Sequence, residues 1–120
     1  MTMEHSKKYK WHKIACDESE LHFKSNNLLQ VEVAGKTVCI ARGKDGLYGC
    51  SNKCPHAGGI ISDGFLDALG NIACPLHRYK FSLENGRNVS GEGYYLKTYP
   101  LQRTDQGIFV GIEEKSGLFW

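Results

Sequence analysis

The chain has 120 residues, 41% of them hydrophobic and 23% charged, and a formal net charge of +2. That length fits one domain, 1–120, able to bury roughly two-thirds of its unfolded surface, and the balance is that of a globular protein, neither disordered nor membranous. So small a net charge gives no nucleic-acid footprint, and no apolar run approaches the roughly 20 residues of a membrane-spanning helix. The run Lys7, Lys8, Lys10, Lys13 reads as a solvated arm. No apolar stretch of the kind an export signal needs follows that polar start, so the expected compartment is the cytoplasm.

Taken in order, Tyr9 to Ala15 alternates bulky and polar residues and predicts a first strand, and Glu18 to Leu21 predicts one short helical turn. Leu28 to Val33 predicts a second strand, and Ala34-Gly35-Lys36 a hairpin into a third, Thr37 to Arg42. Lys44-Asp45-Gly46 turns the chain into Leu47 to Cys50. A strand is expected at Ile72 to Cys74. Phe81-Ser82-Leu83 runs into Asn85-Gly86, a strong hairpin marker, with Val89 starting the return. Tyr94 to Leu101 and Ile108 to Ile112 complete the set, and Gly117 to Trp120 forms an apolar terminus. Short strands, 14 glycines and no helical period predict an all-β sandwich or barrel.

Chemistry concentrates in two stretches, Cys54-Pro55-His56 and Cys74-Pro75-Leu76-His77, with 17 residues between them. Thiolate and imidazole are soft-to-borderline ligands for transition metals. The order Cys, His, Cys, His differs from that of a C2H2 zinc finger, though another mononuclear zinc site could use the same set. Prolines fix the backbone of both stretches, and Gly58 and Gly59 let neighbouring amides turn inward, where they can donate to cluster sulfurs. Of the five cysteines, Cys16, Cys39 and Cys50 remain. Without an export signal they read as reduced thiols rather than a disulfide framework. Cys39 reads as core; Cys50, four residues before Cys54, reads as structural, with a third thiolate ligand as the alternative.

The stretches C-P-H-A-G-G and C-P-L-H-R-Y resemble the two cluster-binding loops of Rieske [2Fe–2S] proteins, and the resemblance spans roughly Trp11 to Ile112. It implies that Cys54 and Cys74 hold one iron while His56 and His77 hold the other. It also implies a larger β base with a smaller cluster-binding subdomain, about 50–82, inserted in it. Quinol-oxidising members of the family carry an extra cysteine in each loop, tied as a disulfide, and a serine and a tyrosine whose hydroxyls raise the potential. Here Gly59 and Leu76 stand at the cysteine positions, Tyr79 at the serine and Phe81 at the tyrosine. Fewer hydroxyl donors imply a low-potential centre, toward the lower end of the family's range of about −150 to +300 mV.

The chain carries no P-loop, nucleophile elbow, dinucleotide fingerprint or zincin motif, and nothing in its length would house an oxygenase domain. The expected role is therefore an electron-carrying component rather than an enzyme. The resemblance implies electrons passed from a flavin-dependent reductase to a terminal oxygenase, as in aromatic-hydrocarbon monooxygenase or dioxygenase systems. The alternatives are the small subunit of an NAD(P)H-dependent nitrite reductase and a zinc-stabilised binding module. Lys53, Arg78 and Lys80 flank the four residues and read either as solvated loop side chains or as charges steering an acidic partner.

Overall fold

In the computed structural model, the described residues are 8–55, 58–89, 91 and 93–114. The expectations for His56 and for the apolar terminus at Trp120 fall outside them. The strands are β1 (Tyr9–Ala15), β2 (Leu28–Val33), β3 (Lys36–Gly43), β4 (Gly46–Ser51), β5 (Phe65–Leu66), β6 (Asn71–Ala73), β7 (Lys80–Ser82), β8 (Thr98–Tyr99), β9 (Leu101–Thr104) and β10 (Gly107–Glu113). They form three antiparallel sheets ordered β1-β10-β9, β2-β3-β4-β8 and β5-β6-β7. All-β architecture follows as expected.

Strand β3 explains how the sheets stack. Val38, Cys39, Ile40 and Ala41 are all buried, a continuous apolar run that a strand covered on both faces requires. Side chains alternate along a strand. Val38 and Ile40 join Val33, Val110 and Ile112 in the core between the first two sheets. Cys39 and Ala41 turn the other way, into a second core with Leu28, Ile61, Ile72, Phe81 and Leu96. That second core seats the small sheet, and with it Cys54 and Cys74, on the base.

Local signals mostly land where the residues put them. Ala34 and Gly35 both take positive φ, 51° and 79°, as a two-residue primed hairpin demands. A short 3-10 turn, Glu18–Glu20, is capped by the Asp17 side chain, which accepts from the Ser19 amide at 2.9 Å. Its Glu18 pairs with Arg42 of β3 and Arg103 of β9, one carboxylate fastening two sheets.

Two strand expectations need correction. Among the described residues Val89 starts no return strand; directly after Asn85-Gly86 and ahead of β8 the chain makes isolated bridges, Phe81 with Asn88 and Arg87 with Tyr95. The Asn85 side chain accepts from the Arg87 amide at 2.8 Å, so the turn is closed locally without a ladder to follow. The segment from Tyr94 to Leu101 is not one strand either. It divides at Pro100, with β8 in the second sheet and β9 in the first. Proline brings no N–H to a ladder, and the Pro100 carbonyl instead accepts from the Gly111 amide at 2.9 Å. The chain thus changes sheet at its proline.

Candidate metal centre

Strand β4 delivers the chain to the first loop. The Cys54 amide donates to the Gly59 carbonyl and the Gly58 amide to the Cys54 carbonyl, both at 2.9 Å, closing a tight ring of backbone. Gly58 supports the bend at φ 72°. Lys53 and Ile60 bridge across the open end. Cys54 is buried, whereas Pro55 and Gly58 face solvent.

The second loop connects β6 to β7. The Cys74 amide donates to the Tyr79 carbonyl at 2.8 Å, which closes the loop over residues 75–78. Inside it His77 and Arg78 take φ 60° and 56°, a region costly for residues with a Cβ. Both are exposed. The His77 and Tyr79 rings stand 6.0 Å apart, tilted by 41°. Phe81, at the position read as lacking a hydroxyl, is wholly buried in the core.

The loops meet at Gly59. A Cβ there would lie 2.8 Å from Cys74 Sγ and 3.1 Å from Leu76 Cγ, so only glycine lets the second loop pack down. Gly59 and Leu76, at the positions where quinol-oxidising members carry tied cysteines, thus touch as bare backbone against leucine. The Leu76 amide donates to Cys74 Sγ at 3.4 Å, an inward-turned donor of the kind expected from the sequence. Burial pushes the Cys74 thiol up, the Leu76 amide pulls it down, the neighbouring Cys54 thiol raises it again, and the Gly59 amide lowers it. Two buried thiols side by side, with amides aimed at sulfur, form an environment in which a bound cation would favour both thiolates.

Cys50 is buried in the same core as these two thiols but is partnered differently. It sits directly opposite Cys39 across the β3–β4 ladder. The hydrogen bond to Cys39 is the main cause pushing its thiol well up, with burial adding to it. The exposed Cys16 lies apart, and all five cysteines are free thiols. Of the four predicted ligands, then, Cys54 and Cys74 come together and His77 stands exposed on the adjoining loop. No group of three or more metal-binding side chains is assembled among the described residues.

One feature of the site escapes motif reading. Asn52, buried at 5% exposure, holds the neck of the first loop. Its carbonyl accepts from the Ile61 amide at 2.9 Å and its side-chain oxygen from the Ser62 amide at 2.8 Å. Its side-chain nitrogen donates to Gln30 Oε1 at 3.0 Å. Asn26 then grips the far side, donating to the carbonyls of Ser62 at 3.0 Å and Gly64 at 2.9 Å. Asn52 at the loop's own neck and Asn26 from outside it thereby fasten the segment that leaves the loop. The only sequence cue was a polar triplet, Ser51-Asn52-Lys53, ahead of the first cysteine.

A family model for the Rieske [2Fe-2S] domain matches residues 10–100. The chain belongs to the Rieske family. The ferredoxin component of a naphthalene 1,2-dioxygenase system from Pseudomonas aeruginosa is 31% identical over 87 residues, which cover 72% of this chain and 83% of that protein. A cholesterol 7-desaturase from Bombyx mori is 28% identical over 94 residues, but this Rieske chain spans just 21% of its length. Among solved structures, a protein described as an NADH-dependent nitrite reductase small subunit from Mycobacterium tuberculosis superposes with a TM-score of 0.73 at 23% identity, over 87% of this chain and 96% of that one. The ferredoxin of carbazole 1,9a-dioxygenase from Nocardioides aromaticivorans gives 0.68 at 23% identity, over 88% and 97%. These two likenesses establish the Rieske fold. The family's cofactor is a [2Fe–2S] cluster, and the paired, amide-facing thiols suit its cysteine-bound iron.

Proposed function

We propose that the chain is a one-electron carrier whose cluster is held by Cys54 and Cys74 on one iron and by His56 and His77 on the other. When bound, the cluster supplies a site that takes up and returns a single electron. The observation that carries this reading is the pair of buried thiols beneath Gly59 and Leu76, in a chain that matches ferredoxin components over most of their length. Residues of about 50–82 act as the cluster-binding subdomain, seated on the base through the core that contains Phe81 and Ile72.

The remaining residues shape the electron's exit and its energy. Burial of Cys54 and Cys74 keeps water from the sulfurs, while the Leu76 and Gly59 amides favour negative charge there. Phe81 contributes no hydroxyl, so the centre sits low in the family's range of potentials. Exposed His77 leaves a short route from that edge to a docked protein. A flavin-dependent reductase is the donor in this reading and an oxygenase the acceptor, in the cytoplasm. No helix among the described residues is long and apolar enough to cross a membrane. The nitrite reductase reading draws on likeness of fold alone, whereas the curated relatives at about 30% identity are dioxygenase ferredoxins.

Iron analysis and EPR on anaerobically purified, dithionite-reduced protein test this reading. Expected are about two irons per chain and a mixed His/Cys signal with its g average below the free-electron value. Colourless protein with stoichiometric zinc would instead establish the metal-stapled module.

A further inference from the structure

We propose that the surface joining the two loops is a docking face for a partner protein whose own contact face is acidic; this rests on the carrier reading above. The centre of the face is aliphatic. Ile60 is 46% and Leu76 47% exposed, and the packing of Leu76 on Gly59 brings their loops into contact. Exposed apolar side chains beside a redox site form the middle of a small transient interface.

Its rim is basic, and the ion pairs show why. Between Cys50 and Ser82 the chain has two carboxylates, Asp63 and Asp67. Lys24 of the base engages Asp63 at 3.1 Å, and Lys80 engages Asp67 at 3.2 Å. Lys80 is therefore committed to its own subdomain. Lys53 and Arg78 have no ion pair among the described residues and are exposed. The Lys53 stem runs along the first loop, its Cε 3.7 Å from where a Gly58 Cβ would sit. Arg78 follows the exposed His77 on the second. Each loop thus presents one uncompensated cation next to its aliphatic residue. Such a rim attracts an acidic face and rejects a basic one, acting chiefly on the rate of encounter.

The test uses two haem proteins as surrogate acceptors, cytochrome b5 with an acidic haem edge and cytochrome c with a lysine-rich one. Dithionite-reduced protein, freed of excess reductant, is mixed with each in a stopped-flow instrument. One electron leaves each reduced protein and converts one haem iron(III) to iron(II). With cytochrome b5 the rate should fall at least about threefold between low and physiological salt, and with cytochrome c it should rise. The double variant Lys53→Gln/Arg78→Gln should flatten both dependences, and Lys53→Glu/Arg78→Glu should invert them. Lys10→Glu/Lys44→Glu, at exposed positions on β1 and at the far end of the β3–β4 hairpin, should change either slope far less. Equal slopes for the two acceptors, or equal effects of tip and base variants, would overturn the docking face. A missing EPR signal in the starting protein would remove the carrier reading and this proposal together. A normal signal with salt-independent rates would remove the proposal alone.

Discussion

The first loop bends through glycine and is fastened at its neck and from outside, by Asn52 and Asn26 gripping the segment that leaves it. The second has no glycine. Its bend falls on His77 and Arg78, both at positive φ, and is held by one backbone bond from Cys74 to Tyr79. A residue with a Cβ costs about 1–2 kcal/mol in that region, so the second loop stores strain that its flanking strands must contain. One loop is pliable and needs a clamp; the other is sprung. The two should fail under different substitutions.

The largest effect is expected where they touch. Gly59→Val would place atoms on Cys74 Sγ, already too close for a Cβ alone at 2.8 Å, and press further on Leu76, already tight at 3.1 Å. Iron content of the purified variant should drop to a small fraction of the wild-type value; full occupancy would show that the loops can separate without loss. Next comes the clamp. Asn52→Ala leaves the Ser62 amide and Gln30 without their partner, and urea denaturation should reveal a loss of about 1–3 kcal/mol.

The support of β6 and β7 is of similar size and depends on pH. Burial would raise Asp67, but the Asn71 amide and side chain, the Leu69 amide and Lys80 together lower it from 3.8 to about 2. A carboxylate with a lowered folded-state pKa stabilises above its unfolded value, and that stabilisation is lost as pH falls toward 2. Solvent screening holds it to about 1 kcal/mol. Asp67→Asn should therefore weaken the protein at pH 6 and converge with wild type only as pH falls to about 2 in parallel unfolding curves. The smallest effect has the opposite sign. Arg78→Gly relieves positive φ but frees the unfolded chain, so the unfolding midpoint should rise by the equivalent of at most about 1 kcal/mol. A fall instead would mean that the sprung loop is not strained.

How much of this the sequence carried depends on the range of the interaction. The four proposed ligands and the strands before Cys54 could be read because their signals are local: residue type, proline and glycine placement, period-2 alternation. The Asn52 clamp could not, because Gln30 and Asn26 reach it from distant sequence. The Cys39–Cys50 pairing likewise needs the β3–β4 register, which makes them directly opposed. The two-residue β5 is shorter than any period that could announce it. Pro100 was visible, but that it marks a change of sheet, rather than an edge position, emerges only with β10 beside it.

Tyr9 of β1 lies opposite Glu113 of β10, so the first sheet joins the ends of the described chain. Loop-closure entropy opposes that pairing until almost everything between has been made and ordered. The β5-β6-β7 sheet, by contrast, pairs near neighbours, and both cysteine loops lie beside it. During synthesis the cysteines would then approach one another before the base is sealed. Closure of the first sheet is then the slow, final step of folding.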